Sequence, residues 1–335
     1  MNWRDQVVLV TGGTGSFGRK FVEIMLRDFQ PKKLIVFSRD ELKQHEMRVL
    51  GSDRPNVRFF IGDVRDRERL LRAMHGVDVV VHAAALKQVP ACEYNPMEAV
   101  KTNIIGTSNV VEAALDAGVR KVMALSTDKA VNPINLYGAT KLAAEKLTVQ
   151  SNTYAAGTAT RYSCVRYGNV VGSRGSVVPV FLKQRETGRL SITDKRMTRF
   201  WLSLEEGVRF VIECIESMHG GEVFVPKIPS MKVVDLAKAI APDATMEFVG
   251  IRPGEKLHEV LISEDEARNA VENQRMFVVK PPETLWERAL NYEGTPLADG
   301  FRYSSDTNSL WLDLAGIRKL VAPFDSLYAA GRLEG

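Results

Sequence analysis

The chain has 335 residues, a length that corresponds to roughly two domains. Its composition, 45% hydrophobic and 26% charged, is that of a globular protein and excludes an intrinsically disordered chain. Lysine and arginine number 45 against 41 aspartates and glutamates, so the net charge is only +4. This balance excludes a general nucleic-acid binder but permits a local basic cluster for an anionic small molecule.

Cysteine use and hydropathy narrow the class further. The three cysteines are widely spaced and follow neither a disulfide nor a zinc-site pattern, which favours a reducing compartment and predicts no metal centre. The longest apolar runs, such as residues 77–85, fall short of a membrane span, and the N-terminus does not resemble a signal peptide. We therefore expect a cytoplasmic protein without nucleic-acid or membrane partners.

The first half of the chain alternates β-branched runs with stretches of helical spacing. The runs are continuously apolar, as strands buried on both faces of a parallel sheet must be. Strands are predicted at 7–10, 34–37, 57–61, 77–82, 122–125 and 162–165. Helices are predicted at 16–29, 41–50, 67–74, 96–117 and 136–155. This alternation predicts an α/β fold built on a doubly wound parallel sheet of the Rossmann type.

From about residue 169 the pattern becomes less regular, and glycine, serine and proline are frequent over 172–179. A helix at 204–218 is expected to pack back onto the sheet. Shorter elements are predicted at 233–241, 246–249, 264–270 and 275–279, with a surface-docked tail after residue 281. We predict a Rossmann domain of residues 1–168 with about 200–232, and a smaller mixed α/β domain of about 169–199 with 233–335.

A glycine-rich turn follows the first predicted strand. Gly12, Gly15 and Gly18 are spaced three apart at the point where strand becomes helix. The first allows a tight turn, the second lets backbone approach a pyrophosphate, and the third allows close packing of helix on strand. The helix N-terminus then offers free amides to the phosphates. The turn predicts a dinucleotide site, whose remaining contacts here are Thr14, Ser16 and Phe17.

The end of the second strand distinguishes NADP from NAD. An acidic side chain there binds the ribose 2′-hydroxyl of NAD, whereas a basic one accommodates the 2′-phosphate of NADP. Ser38 and Arg39 occupy this position, and Lys43 lies one helical turn further on. These residues favour NADP, while Asp40 leaves NAD as the alternative.

The ends of the third and fourth strands supply further cofactor contacts, which are Asp63, Val64, Ala83, Ala84 and Ala85. The small alanines would let the backbone lie against the cofactor. Asp63 is placed to meet the adenine, although a helix N-cap is an alternative role for it. His82 is interpreted as a packed residue at the strand end rather than as an acid or base.

A catalytic constellation follows the fifth strand. Tyr137 and Lys141 are four residues apart and therefore share one helix face. A lysine ammonium beside a phenol is expected to lower the tyrosine pKa from about 10 toward the working pH. Tyr137 could then accept a proton from a sugar hydroxyl, and Thr127 could hydrogen-bond the same oxygen.

These motifs resemble the extended short-chain dehydrogenase/reductase superfamily, which works largely on nucleotide sugars. Within it, the chain is most similar to the inverting UDP-N-acetylglucosamine 4,6-dehydratases of pseudaminic acid biosynthesis. The resemblance covers most of residues 5–265 and is carried by 11–18, 37–44, 82–88, 93–98, 126–133, 136–141, 166–179, 196–200 and 252–259. It implies NADP as cofactor, UDP-N-acetylglucosamine as substrate, and a homo-oligomer, either a dimer or a hexamer. It also adds Gln44, Lys87, Tyr137, Lys141 and Val170 to the cofactor contacts.

The resemblance implies roles for the two residues after Thr127. Retaining 4,6-dehydratases carry an Asp-Glu pair there, whereas this chain has Asp128 and Lys129. Asp128 would be the acid that helps the 6-hydroxyl leave, and Lys129 the base that removes the proton on carbon 5. A lysine base needs a lowered pKa, for which Lys141, Lys87 and the nicotinamide are the expected neighbours. The alternative for Lys129 is an ion pair with Asp128, which would raise its pKa.

Substrate contacts are implied in the second predicted domain. Backbone amides of the glycine- and serine-rich segment are expected to meet a nucleotide diphosphate. Arg199 and Arg252 could clamp its oxygens, with Glu255 accepting from a ribose hydroxyl and Lys87 reaching the sugar. The full set is Lys87, Asn169, Ser173, Arg174, Gly175, Ser176, Val177, Arg199, Arg252 and Glu255.

Three other functions remain open at this stage. Capsule-type dehydratases with added carbon-3 epimerase activity are similar but carry methionine in place of Tyr137. A 4-epimerase would need Tyr137 and Lys141 but has no use for Asp128 and Lys129. A catalytically inactive NADP-sensing regulator would keep the glycine turn but would not need the Tyr137–Lys141 pair.

Overall fold

The protein is described by a computed structural model covering residues 1–172, 176–281 and 292–331. Its strands are β1 Val7–Thr11, β2 Lys33–Ser38, β3 Val57–Ile61, β4 Val79–His82, β5 Lys121–Leu125, β6 Arg161–Val165, β7 Asn169–Val170, β8 Arg189–Ile192, β9 Thr198–Leu202, β10 Val223–Pro226, β11 Ser230–Lys232, β12 Thr245–Phe248, β13 Val260–Ile262, β14 Ala270–Glu272, β15 Met276–Val279, β16 Thr295–Pro296 and β17 Tyr303–Ser304. Its α-helices are α1 Ser16–Ile24, α2 Glu41–Met47, α3 Arg67–Ala73, α4 Val89–Tyr94, α5 Pro96–Ala99, α6 Gly106–Asp116, α7 Leu136–Gln150, α8 Val177–Arg185, α9 Leu204–Ser217, α10 Val233–Ile240, α11 Glu264–Ala267 and α12 Leu314–Ala329. Turns of π-helix continue the chain after α1, α2 and α5.

Within these ranges, ten strands form one sheet in the order β16-β14-β15-β10-β6-β5-β4-β1-β2-β3. The seven strands from β10 to β3 pair in parallel, and β15 and β14 continue the sheet antiparallel. The order reverses on either side of β1, the arrangement of a doubly wound sheet, in which ligands bind outside the carboxyl ends of the strands. The predicted α/β fold is confirmed.

Both faces of the sheet are covered at β1, which explains why this strand is continuously apolar over residues 7–10. Val8 and Val10 of β1 pack into a core layer with α1 and α9, whereas Leu9 between them packs into the opposite layer with α3 and α6. All three side chains are fully buried. A strand with water on one face would alternate instead.

A second core lies beyond the sheet and is assembled from distant parts of the chain. Phe181 of α8, Leu190 of β8, Leu236 of α10 and Ile317 of α12 are all buried in it. Helix α12 packs against α8 and α10. The expectation of a surface-docked tail after residue 281 is therefore wrong for α12, because its apolar stripe completes this core.

The strands β14 and β15 also differ from expectation. They were predicted to belong to the smaller domain, but β15 pairs with β10 and extends the large sheet. A short apolar run does not specify the strand with which it pairs. From the sequence, these two strands could therefore be grouped only with the elements next to them along the chain. In the part of the chain that the structure describes, no helix is both long and apolar enough to cross a membrane.

Candidate active site

A cleft of about 920 Å³ opens at the carboxyl ends of the parallel strands and extends to the second core. Most of the residues predicted for the site line this cleft: Gly12, Thr14, Gly15, Ser16, Phe17, Gly18, Ser38, Arg39, Asp40, Lys43, Asp63, Val64, Ala83, Ala84, Ala85, Lys87, Thr127, Lys129, Tyr137, Lys141, Asn169, Val170, Ser176, Val177, Arg199, Arg252 and Glu255. Ser173, Arg174 and Gly175 lie outside the described residues. The remaining two, Gln44 and Asp128, are buried behind the wall.

The glycine turn has the close approaches that a dinucleotide site requires. Gly12 has a φ of +63°, and a Cβ there would lie 2.9 Å from the Cα of Ala84. A Cβ on Gly18 would lie 2.4 Å from the Cα of Gly13, so helix α1 can approach the turn only with glycine at this position. Gly15 is the N-cap of α1 and makes no side-chain capping bond. These residues fit a bound pyrophosphate.

The second strand end presents a basic side chain to the cleft. The Arg39 side chain is 60% exposed and lies 3.8 Å from a carboxylate oxygen of Asp63. Asp40 caps helix α2 by accepting from the backbone N–H of Lys43 at 3.0 Å, and its carboxylate also pairs with the Lys43 ammonium at 2.5 Å. Asp40 is therefore engaged with its own helix, which weakens the argument for a ribose hydroxyl on this residue.

Asp63 does not take the capping role considered for it. The N-cap of α3 is Asp66, whose side chain accepts from the backbone N–H of Arg69. The Asp63 carboxylate instead accepts from the backbone N–H of Arg65 at 3.0 Å and pairs with the Arg65 guanidinium. Asp63 lines the cleft.

Gln44 was predicted to contact the cofactor, and the structure corrects this. Its side-chain amide donates to the carbonyl oxygens of Ser38 and Phe60, both at 3.0 Å, and the residue is buried. Gln44 therefore ties the ends of β2 and β3 together. His82 is buried between the hydroxyls of Thr11 and Thr107, and burial lowers its pKa to about 3, which suits the packing role expected of it.

Helix α7 places Tyr137 and Lys141 on the cleft. The Asn135 side chain caps the helix, so the tyrosine stands in the first turn and the lysine one turn later. The Lys141 ammonium donates to the carbonyl oxygen of Leu125 at 2.6 Å. Burial raises the pKa of Tyr137 to about 12, with the charge on Lys129 opposing the rise. The prediction that Lys141 lowers the pKa of Tyr137 is therefore wrong for the protein chain alone, because the Lys141 ammonium points toward the end of β5.

Asp128 and Thr127 form the turn after β5. Asp128 is fully buried; its Oδ1 accepts from the Thr127 hydroxyl at 2.8 Å and from the Lys129 ammonium at 3.1 Å. Its other carboxylate oxygen has no hydrogen-bond partner among the described residues. Burial raises the pKa of Asp128, although the charge on Lys129 opposes it. A carboxyl group that keeps its proton more readily than usual can serve as an acid.

Lys129 stands between two carboxylates. Its ammonium nitrogen lies 3.1 Å from Asp128 and 3.4 Å from Glu259. Burial alone would lower the pKa of Lys129, but these carboxylates outweigh burial and raise it. The prediction that Lys141 and Lys87 lower the pKa of Lys129 is therefore wrong. The structure shows the alternative, an ion pair between Lys129 and Asp128.

Glu259 and Lys256 were missed as members of the site. Glu259 is 2% exposed and lines the cleft beside Lys129. The Lys256 ammonium donates to the carbonyl oxygen of Val131 at 2.5 Å. This contact links the segment before β13 to the turn that follows Asp128. Both fall within the segment 252–259 that carried the resemblance, but only the fold reveals that they face Lys129.

The predicted phosphate ligands differ in exposure. The Arg199 side chain is 12% exposed and lies 3.8 Å from Glu259, whereas Arg252 is 69% exposed on the rim, 3.9 Å from Glu255. One carboxylate oxygen of Glu255 is buried without a partner among the described residues. These side chains line the same cleft as Lys87, which gives it a mainly cationic wall suited to a diphosphate.

The fold and the site together define an extended short-chain dehydrogenase/reductase. Within that class the chain belongs to the polysaccharide biosynthesis protein family, whose pattern matches residues 8–281. Two proteins of Campylobacter jejuni, serotypes O:2 and O:23/36, each described as a UDP-N-acetylglucosamine 4,6-dehydratase (inverting), are 54% identical over 313 residues, covering 91% of this chain and 93% of each relative. A UDP-glucose 4-epimerase of Rickettsia conorii is 45% identical and covers 79% of this chain and 80% of its own.

Among solved structures, the X-ray structure of Pen from Bacillus thuringiensis superposes with a TM-score of 0.88 at 37% identity. The match covers 96% of this chain and 98% of that one. Similarity over nearly the full length of both chains includes the second core and the cleft wall as well as the parallel sheet.

Proposed function

We propose that the protein is an NADP-dependent UDP-N-acetylglucosamine 4,6-dehydratase that inverts carbon 5. The product would be UDP-2-acetamido-2,6-dideoxy-β-L-arabino-hex-4-ulose, the first intermediate of pseudaminic acid biosynthesis. The observation that carries the proposal is the Asp128–Lys129 pair: Lys129 lines the cleft together with Tyr137, and Asp128 lies directly behind it. The 54% identity to relatives described as inverting dehydratases supports the same function.

In the proposed reaction, Tyr137 takes the proton of the 4-hydroxyl as that carbon is oxidised. A bound nicotinamide supplies the hydride acceptor for carbon 4 and the hydride donor for carbon 6, so the reaction has no net oxidation. The raised pKa of Tyr137 in the protein chain means that its ionisation needs additional positive charge nearby. The buried Lys141 in the next helical turn holds the strand end against which the hexose would lie.

The water-loss step would use the neighbouring pair. The 4-keto group makes the carbon-5 hydrogen acidic, and Lys129 in its neutral form takes that proton. Asp128 in its protonated form is the proposed source of the proton for the 6-hydroxyl, which leaves as water; because Asp128 is buried behind the wall, this step requires its carboxyl group to become exposed to the cleft. The raised pKa of Asp128 suits this acid role. Lys129 must first release its own proton, because Asp128 and Glu259 hold it as an ammonium; Asp128, 3.1 Å away, can accept it, which leaves the neutral amine and the carboxylic acid that this step needs. Return of hydride to carbon 6 would then be completed by delivery of a proton to carbon 5 on the opposite face, which inverts that carbon.

A 4-epimerase is the second candidate, since relatives so described share 45% identity with this chain. Epimerisation needs the tyrosine and lysine of α7, but it involves no loss of water and therefore has no step that requires the Asp128–Lys129 pair. Its product has the mass of the substrate, whereas dehydration removes one water. The two functions are therefore distinguished by the mass of the product.

The test is to incubate the purified protein with UDP-N-acetylglucosamine and NADP in deuterated water. We expect a product that has lost one water and carries deuterium at carbon 5 of an L-configured 4-keto sugar, as read by mass spectrometry and NMR. A product of unchanged mass would support epimerisation instead. Deuterium at carbon 5 with D configuration would indicate dehydration with retention.

The preference for NADP is tested at Arg39. Replacing it with alanine removes a charged contact to the 2′-phosphate, so we expect the Kd for NADP to rise about tenfold or more with little change for NAD. Calorimetric titration of both cofactors measures this. Arg189→Ala removes another exposed arginine, 73% exposed and outside the cleft lining, and serves as the control. Equal weakening of NAD and NADP by Arg39→Ala would contradict the assignment.

The proposal extends to domain organisation and assembly. We assign residues 1–168 with about 200–232 to NADP binding and about 169–199 with most of 233–335 to substrate binding, with β14 and β15 belonging to the large sheet. We further propose a homo-oligomer, a dimer or a hexamer, that works in the cytoplasm. The three cysteines are free, which suits a reducing compartment.

A further inference from the structure

We propose that Glu259 is a positioning residue for Lys129, holding its ammonium group at the cleft wall and linking it to the Arg199 guanidinium. None of the motifs in the sequence assigned a role to Glu259. The inference rests on the proposed function, because the protonation state of Lys129 matters only if Lys129 is the base. The arrangement of charges around Lys129 that supports the inference does not depend on the substrate.

The backbone of Glu259 is pinned on both of its polar groups. Its N–H donates to the Ser305 hydroxyl at 2.9 Å, and its carbonyl oxygen accepts from the Ser305 N–H at 2.8 Å. Strand β13 begins at the next residue and pairs with β17. Because the side chain is 2% exposed as well, it has little freedom to turn away from the cleft.

The carboxylate of Glu259 is shared by two cations. Its Oε1 lies 3.4 Å from the Lys129 nitrogen and 3.8 Å from the Arg199 Nε, while Oε2 is buried without a hydrogen-bond partner among the described residues. Burying an ionised carboxylate is unfavourable unless it is paired. The pairing therefore explains how an acidic residue can be buried in this wall, and it fixes the position of the Lys129 ammonium group.

The charged and titratable side chains around Lys129 come from several elements of the fold. On its own turn is Asp128; helix α7 contributes Tyr137, strand β9 contributes Arg199, and Lys87 and Lys256 come from the loops after β4 and before β13. In the described residues, Asp128 and Glu259 are the two carboxylates within ion-pair distance of its nitrogen. Without Glu259, a single carboxylate would face this group of cations.

The test is the reactivity of Lys129 toward acetic anhydride at pH 9, which only neutral amines show. Labelling is quantified by peptide mass spectrometry relative to Lys101, whose side chain is 54% exposed. Glu259→Gln keeps the shape and an acceptor oxygen but removes the charge, so the pKa of Lys129 falls. We expect a fall of about one unit, which raises the neutral fraction of Lys129 about tenfold. Relative labelling of Lys129 should therefore rise about tenfold.

Two further variants complete the design. Glu247→Gln changes an exposed glutamate outside the cleft lining and should leave relative labelling unchanged. Arg199→Gln removes the cation that competes for Glu259, so labelling of Lys129 should fall below that of the parent. This opposite change keeps the test decisive if Glu259→Gln does not fold.

Unchanged labelling in Glu259→Gln or in Arg199→Gln would overturn the positioning role. Because labelling needs no turnover, that result is separate from a failure of the parent protein to dehydrate UDP-N-acetylglucosamine. Where the parent is active, the acid limb of the kcat profile of Glu259→Gln should move about one unit to lower pH, since less alkaline solution suffices to free the lysine. A change confined to thermal stability would indicate a merely structural role and would contradict the inference.

Discussion

Lys129→Ala is expected to abolish the loss of water from UDP-N-acetylglucosamine while leaving NADP binding intact. The change removes the proposed base for the carbon-5 proton, and a positioned base contributes typically about 10²- to 10⁴-fold to rate. The glycine turn and the end of β2 lie on other elements, so the cofactor contacts persist. Product formation is followed by mass spectrometry, and NADP binding by calorimetric titration.

The control for this variant is Lys101→Ala. The Lys101 side chain is 54% exposed, and its ammonium lies 3.5 Å from Glu98 on the surface. Its removal should change neither turnover nor NADP binding. Normal turnover by Lys129→Ala would remove Lys129 from the mechanism, and loss of NADP binding together with turnover would show a wider disturbance of the cleft.

Arg166→Ala is expected to destabilise the protein by about 3–5 kcal/mol, because it leaves buried carboxylates without a counter-charge. Arg166 is fully buried at the end of β6 and forms paired hydrogen bonds of 2.5–2.9 Å to Glu145 and to Glu266. Glu145 also accepts from the Ser126 hydroxyl at 2.7 Å, directly before the turn that holds Thr127 and Asp128. Urea unfolding followed by circular dichroism measures the loss.

Arg185→Ala is the matched control. Arg185 makes a similar two-pronged pair with Asp325, but these side chains are 35% and 44% exposed, and exposed pairs contribute about 0–1 kcal/mol. A loss in Arg166→Ala no larger than in Arg185→Ala would show that the buried network does not stabilise the fold as expected.

The same network makes stability depend on pH. Burial would raise the pKa of Glu266, but the ion pair with Arg166 lowers it from 4.5 to about 2. A carboxyl whose folded pKa lies below its unfolded pKa stabilises the protein above the unfolded value, and that contribution is lost as pH falls through the folded value. Acid unfolding of the parent protein should therefore reflect protonation of Glu266 between about pH 4.5 and pH 2.

The parts of the fold set by local patterns were predictable from the sequence. Residues 57–61 form β3 with the predicted bounds, because a short, mainly apolar run between turns, even with Arg58 in it, is typical of a strand in an alternating chain. The glycine turn was equally clear, since both its spacing and its place after β1 are local properties. The Tyr137–Lys141 pair could also be placed, because helical spacing alone sets both on one face.

Properties that depend on distant contacts were not predictable. The Lys129 ammonium is stabilised by Glu259 as well as by its neighbour Asp128, and Glu259 lies 130 positions further along the chain, directly before β13. The family resemblance of residues 37–44 implied that Gln44 contacts the cofactor, yet its amide bridges the ends of two strands. Likewise, α12 could not be placed, since its apolar stripe is complementary to α8 and α10 rather than to adjacent residues.

The position of α12 has a consequence for how the protein is made. The core layer around Leu9 uses residues up to Tyr162, so all of its residues are synthesised before those of the second core. The second core needs Ile317 and Val321, which are translated about 155 residues later. This one layer of the nucleotide half can therefore begin to form during synthesis, whereas the opposite wall of the cleft must wait for α12.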